Sequence, residues 1–370
     1  MSSLANGFSR ARTIPTYILR QLATEPLASG ALLYFLTRAS PHVRERVLGP
    51  LRPYILSKNA DARIATAVRI LKVLLAIGVG GRISQLLDRL ALNNWYLRRP
   101  GAAWRFGDAQ KSELVLITGG CSGFGLEMAK RFSEHARVIV LDVGALPDEL
   151  ARLNDVHYYK CDITDFDALQ SLAAEIKSTH GNPSVLINNA GIAQSGPSPV
   201  LHDLQPHAVD RLFKVNLVSH FVLIREFLPG MLAARKGHVV SIASMASYVS
   251  APGLLDYACS KVGALYLNDG LRAELLTRHG TAGHSIHTTS VHPSWHATGI
   301  VKPFESRLRE LGVRMDPPSN VANEVVRRVL ARRSGQIFMP ASESRWANLR
   351  AYPVWVQDWA FGWAWGRWNA

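Results

Sequence analysis

From Glu113 onward, short apolar runs alternate with longer amphipathic stretches. The runs are LVLIT (114–118), RVIVLD (137–142), VHYYKCD (156–162), SVLINNA (184–190), GHVVSIAS (237–244), HTTSVHP (287–293) and QIFMP (336–340). Strand-like runs separated by helix-length stretches are the signature of βαβ units and a parallel sheet. The order predicts a single doubly wound α/β domain over 111–340, with long helices notably over 205–235 and 256–279.

The first 110 residues read differently. Two apolar stretches, 26–37 and 64–81, sit among basic residues. The first is shorter than the roughly 20 residues a bilayer span needs, and the second carries Arg69 and Lys72 near its middle. An interfacial or tilted helical extension with snorkelling cations is expected, or a helical subdomain packed on the enzyme. Nearly all of the net charge of +14 belongs to residues 1–111, which suits an anionic membrane surface. Apolar stretches without zinc spacing or a Lys/Arg-rich run argue against nucleic acid. The start lacks a charged region followed by an apolar core, so a cleaved signal peptide is not expected. The tail, 341–370, crowds Tyr352, Trp355, Trp359, Phe361, Trp363, Trp365 and Trp368; indoles favour a membrane boundary, and packing on the N-terminal helices is the alternative. Cys121, Cys161 and Cys259 show no metal-ligand spacing; no metal and no disulfide framework are expected, and a reducing compartment fits. Cys259 is given no role.

The chemistry is concentrated in four places. Thr118-Gly119-Gly-Cys-Ser122-Gly123-Phe124-Gly125 joins a strand to a helix, the context in which free amides and a helix dipole hold a pyrophosphate. Asp142 ends the next strand, where a carboxylate holds both ribose hydroxyls and repels a 2′-phosphate. With Val143 and Gly144 following it and no cation there, the expected cofactor is NAD rather than NADP. Asp162 is placed to bond the adenine amino edge, with Ile163 packing on the ring. Finally, Tyr257 and Lys261 are four residues apart on an expected helix, with Ser244 thirteen residues upstream. They share a helix face, and a cation beside a phenol favours the phenolate.

These motifs, together with Cys161-Asp-Ile, Asn188-Asn-Ala190-Gly191 and Lys214-Val-Asn216, resemble the short-chain dehydrogenases/reductases over roughly 114–340. The resemblance implies a Rossmann-like domain with a nicotinamide cofactor at the carboxyl ends of its strands. It implies Tyr257 as general acid/base, Lys261 on the nicotinamide ribose while lowering the Tyr257 pKa, and Ser244 on the substrate oxygen. It further implies Asn216 holding a water that carries protons outward from Lys261, and Asn188 and Gly191 shaping the wall near the nicotinamide. Pro293 belongs to the loop beside the nicotinamide, and Thr298 stands where a hydroxyl bonds the carboxamide. Two positions depart from the family pattern, Ser294 where Gly follows Pro and Ser247 where many members have Gly.

The phrases HVVSIASMASYVSAPGLLDYACSK and AVDRLFKVNLVSHF, with the apolar extension, are similar to the membrane-associated retinol and 17-beta-hydroxysteroid dehydrogenases. That similarity implies an endoplasmic-reticulum or lipid-droplet surface, with the catalytic domain on the cytosolic face. Family members also pair through the helices carrying Asn216 and Tyr257, which implies a homo-oligomer. The residues after Gly299 (Ile300, Val301, Phe304, Leu308, Leu311) suit a hydrophobic alcohol or a core. The expected activity is NAD-linked oxidation of a lipophilic secondary or allylic alcohol such as a steroid, retinoid or long-chain alcohol. An NADPH-dependent ketone reductase and a non-catalytic nucleotide-binding scaffold on membranes are the alternatives.

Overall fold

The computed structural model describes residues 25–49, 60–96, 100–193, 200–250 and 252–369. The side chains of Phe304, Trp363, Trp365 and Trp368, and the first residues on which a leader was judged, lie outside this description. The chain divides into two compact units at Ala91 and Leu92.

The first unit is helical: α1 (Pro26–Arg38), α2 (Pro41–Leu48) and α3 (Ala60–Leu92). Proline at the first turn of α1 and α2 needs no amide partner there. Ser40 caps α2 by accepting from the Val43 amide. Helix α3 runs unbroken past the apolar stretch seen in sequence and is about 50 Å long. By length and composition Ala62–Leu92 suffices to cross a membrane, and only 11% of its most apolar window is buried. Ile70, Val73, Ile77, Ile83 and Leu86 are exposed along it.

In the second unit seven strands form one all-parallel sheet: β1 (Leu114–Thr118), β2 (Arg137–Asp142), β3 (Val156–Lys160), β4 (Val185–Asn188), β5 (Gly237–Ile242), β6 (Ile286–Pro293) and β7 (Gly335–Met339). Their order across the sheet is 3-2-1-4-5-6-7. All seven expected strands are present, with ends shifted by at most three residues. Strand alternation divides the core. Val115, Ile117, Val138 and Val140 face α4 (Gly123–Phe132) and, further on, α9 (Pro318–Leu330). Leu114, Leu116, Ile139 and Leu141 face α5 (Phe166–His180), α7 (Ser219–Ala233) and α8 (Leu255–Arg278). Helix α6 (Pro206–Phe213) continues through a π-helical turn, Lys214–Val218, into α7.

Residues 92–110, grouped by sequence with the extension, belong to this second unit. Trp104 and Phe106 pack on its core, and Asn93 Oδ1 accepts from the Ser334 amide at 3.3 Å. The tail forms α10 (Val354–Asn369). The sheet order reverses between β1 and β4, and in doubly wound sheets ligands bind outside the carboxyl ends of the strands at that point.

Candidate active site

A cavity of about 340 Å³ opens at this reversal, lined by Gly119, Ser122, Gly123 and Phe124 after β1, by Asp142 after β2, and by Asn189, Ala190 and Gly191 after β4. The turn into α4 exists because glycine is there. Gly123 has φ +53°, and a Cβ on Gly125 would stand 2.1 Å from the Gly119 carbonyl oxygen. Ser122 caps α4 in extended geometry without its side chain accepting a first-turn amide. Those amides and the helix dipole therefore face the cavity.

Asp142 lies where β2 enters the cavity. One carboxylate oxygen accepts from the Cys121 amide at 2.8 Å and the other from the Gly144 amide at 2.9 Å. Two backbone donors thus fix its plane. Burial, reinforced by the Asp142 charge, pushes the Cys121 thiol up to about 12, so it is inert. Asp162 and Ile163 line the far end of the cavity. The Asp162 carboxylate accepts from the Thr164 amide and hydroxyl, and these bonds hold its pKa below the ordinary value. Thr298 reaches the wall opposite Gly123. An open groove, a cradle that a Cβ would fill and a carboxylate at the ribose end fit a dinucleotide.

Two expected residues lie beneath this cavity instead of in its lining. Thr118 is buried, and its hydroxyl accepts from the amides of Asn189 and Ala190, each at 3.0 Å. Asn188, the last residue of β4, shares a face with Leu186 and is fully buried, and the neighbouring Asn189 lines the cavity. Asn189 donates to the carbonyls of Thr118 and Gly119 and so clamps the glycine turn to β4. Arg211, on α6, also lines the cavity and was missed. In sequence it reads only as a surface cation on an amphipathic helix.

Three of the four residues expected to carry the chemistry come together. Ser244, Tyr257 and Lys261 line one small cavity with Gly191, Pro293, Ser294 and Thr298. Ser244 lies two residues after β5, and its hydroxyl accepts from the Ala246 amide at 3.1 Å and bonds the Tyr257 phenol. Lys261 is buried and donates to the Ile242 carbonyl at 2.9 Å. Burial brings its ammonium down to about 8. Burial also raises the Tyr257 phenol, and the Ser244 bond opposes that rise. Lys261 Nζ lies 5.6 Å from the centroid of the Tyr257 ring. The ammonium is aimed at the Ile242 carbonyl and stands beside the phenol ring.

Asn216 sits in the π-helical turn, fully buried. Both side-chain atoms are bonded: Oδ1 accepts from the Ile192 amide at 2.8 Å, and Nδ2 donates to the Ile192 carbonyl and to Ser260 Oγ. Ser247, a departure from the family pattern, donates to the Lys261 carbonyl at 2.8 Å and so anchors the helix carrying Tyr257 and Lys261.

A third cavity, about 220 Å³, adjoins Ser244 and Tyr257. Its other walls are mostly apolar, with Met245, Val249, Leu254, Trp295, Ile300 and Val301, and Ser294 and Glu343 add two polar side chains. Val301 and Leu308 form a small buried cluster with Trp295 and Leu254, so the segment after Gly299 both packs and walls the site. The tail completes the wall with Trp346, Ala360 and Phe361. This role was not legible in sequence, where the tail's tryptophans suggested a membrane boundary or packing on the N-terminal helices. Trp355 and Trp359 are indeed 74% and 73% exposed, while Ala360 and Phe361 turn inward on the next helix face.

The family model described as short chain dehydrogenase matches residues 113–309. Dehydrogenase RED2 of Cochliobolus heterostrophus is 35% identical over 219 residues, which cover 59% of this chain and 78% of the relative. Estradiol 17-beta-dehydrogenase 11 of Homo sapiens is 31% identical over 238 residues, 62% of this chain and 75% of the relative. Among solved structures, a short-chain dehydrogenase from Streptomyces avermitilis superposes with a TM-score of 0.56 at 20% identity, covering 70% of this chain and 98% of that one.

Proposed function

This chain belongs to the short-chain dehydrogenase family, and within it we propose that it oxidises a lipophilic secondary or allylic alcohol with NAD at a membrane surface. The observation that carries the reading is the mostly apolar cavity in which Ser244 and Tyr257 stand. A site of this composition selects a hydrophobic body with one oxygen to be held. The resemblance to a relative named for estradiol points the same way.

The nicotinamide, when bound, supplies the hydride acceptor. The chain's residues do the rest. Ser244 holds the alcohol oxygen through its hydroxyl. Tyr257, as phenolate, takes the alcohol proton. Lys261, buried and cationic below about pH 8, balances the phenolate charge. Asp142 would hold the ribose hydroxyls through its fixed carboxylate, and the amides opening α4 would hold the pyrophosphate.

Phe361→Asp tests the substrate half of this reading. A carboxylate in the apolar wall is expected to raise KM for a lipophilic alcohol roughly tenfold or more, with cofactor affinity unchanged. An unchanged KM would remove the cavity from the account. One observation favours a second reading, an NADP-dependent ketone reductase: Arg211 offers the cofactor cavity a cation that a 2′-phosphate would use. Parallel binding titrations of NAD and NADP separate the two.

The membrane half rests on the exposed apolar side chains of α3 and on Trp355 and Trp359. The full chain is expected to float with phosphatidylcholine vesicles in a density gradient. An Ile70→Asp/Val73→Asp/Ile77→Asp variant is expected to lose most of that flotation. Equal flotation of the two proteins would count against α3 as the contact.

A further inference from the structure

The mostly apolar cavity beside Ser244 and Tyr257 has one acidic residue in its wall, Glu343. It is half-buried, in a short 3-10 turn (Ala341–Glu343) that follows β7. Its amide donates to the Pro340 carbonyl at 3.0 Å, which keeps the turn at the carboxyl end of that strand. Among the described residues its carboxylate has no ion pair and no hydrogen bond, and no Lys, Arg or His shares the cavity wall with it. The cations of the same segment are engaged elsewhere. Arg345 lies over the Trp346 ring, 5.6 Å from its centroid, and Arg350 donates to the Tyr248 carbonyl at 3.2 Å.

The sheet sets how far Glu343 stands from the reacting end. Ile242, Val291 and Ile337 are level across β5, β6 and β7. Two residues further on, Pro293 pairs with Met339, and the Ser244 hydroxyl lies 3.5 Å from the Pro293 carbonyl oxygen. Two strand spacings therefore separate Ser244 from the end of β7, about 10 Å. An apolar body that enters the cavity displaces the water around the Glu343 carboxylate. Stripping a charge of water without giving it a partner is costly. A hydrocarbon offers no partner, and a hydroxyl satisfies a lone pair but leaves the charge uncompensated. A cation supplies both a hydrogen bond and the opposite charge. Because Glu343 is only half-buried, the paired cation keeps part of its own hydration, which limits the desolvation that makes fully buried ion pairs unfavourable.

We propose that Glu343 determines specificity by pairing with a protonated amine on the substrate, which is then a lipophilic amino alcohol whose nitrogen and reacting oxygen stand about 10 Å apart. The inference rests on the reading of Ser244 and Tyr257 as the end that holds the alcohol, and adds a second polar group to the one oxygen held there. In the complex the hydroxyl lies at Ser244, the hydrocarbon lies along the apolar walls and the ammonium stays with Glu343, where water still reaches it.

Three medium-chain secondary alcohols, identical except for a methyl, hydroxyl or primary amine group at the far end, test this by calorimetric titration. The full chain in detergent is first saturated with the reduced form of whichever of NAD and NADP it binds more tightly, so that no alcohol is oxidised during the measurement. Uptake of each alcohol by the micelle is the same for wild type and variants, and cancels when their dissociation-constant ratios are compared. Glu343→Leu is expected to shift the ratio of amine-ended to methyl-ended alcohol roughly tenfold or more against the amine. Glu343→Gln, which keeps an acceptor but no charge, is expected to shift it in the same direction and serves if Glu343→Leu does not fold. A ratio unmoved in both variants overturns the inference, as does an equal loss of all three alcohols, which marks a damaged wall. A larger shift for the hydroxyl-ended alcohol, seen in Glu343→Leu and absent in Glu343→Gln, would mean that the carboxylate reads a neutral donor, and overturns the assignment to an amine. Turnover of the methyl-ended alcohol with NAD is scored separately. If it is oxidised and the ratio does not move, only this inference falls; if the ratio moves and no alcohol is oxidised, only the proposed oxidation falls.

Discussion

Tyr257→Phe is expected to lower kcat for alcohol oxidation by about 10³-fold, within the range that a positioned general acid/base contributes. Only the phenolic oxygen is removed. The ring still sits beside Lys261, 5.6 Å from its nitrogen, and Ser244 still accepts from the Ala246 amide. Cofactor affinity and thermal stability are therefore expected to stay near wild type, which separates lost chemistry from lost structure. Steady-state kinetics with a cofactor titration check both. Full activity in this variant would sink the proposed proton transfer.

The second large effect is expected at Asp142. Asp142→Arg removes a carboxylate that two backbone amides hold in place and puts a second cation in a cavity that already has Arg211. Charge-assisted hydrogen bonds are worth about 1.5–3 kcal/mol each. Losing the ribose contacts and gaining a phosphate contact together is worth about 4 kcal/mol, or roughly 10³-fold in the ratio of kcat/KM for NADP over NAD. A ratio unmoved by the substitution would mean that Asp142 does not read the ribose. Asp142→Asn, which keeps the shape and loses the charge, is expected to fall between the two.

The catalytic domain was legible because its signals are local. A glycine turn must lie between a strand and a helix to be useful, and Tyr257 and Lys261 share a face only if helical; both conditions can be read from spacing. Strand identities followed for the same reason, down to LVLIT and RVIVLD, whose limits agree with β1 and β2. What was not legible depends on long-range contact. Asn188 and Asn189 are adjacent in sequence, and only the pleat of β4 decides that the first goes under the sheet and the second into the cavity. Arg211 lies three residues before the Lys214-Val-Asn216 motif, yet nothing local marks it for the cofactor, and it reaches the cavity through the docking of α6. The tail shows the same limit. Its tryptophans suggested a boundary with lipid, and nothing local indicated that Ala360 and Phe361 on the same helix would close the substrate cavity. Helix α3 differs again: the charges at Arg69 and Lys72 argued against a span, while the unbroken helix to Leu92 is long and apolar enough to cross a membrane.

The most direct test of the central claim is turnover by the full chain in detergent, with NAD and NADP each offered against steroid alcohols, retinol and long-chain secondary alcohols, followed by nicotinamide absorbance. The account predicts NAD-dependent oxidation of at least one lipophilic alcohol, absent in Tyr257→Phe. Tight NAD binding with no oxidation of any of them, or turnover with NADP alone, would contradict it.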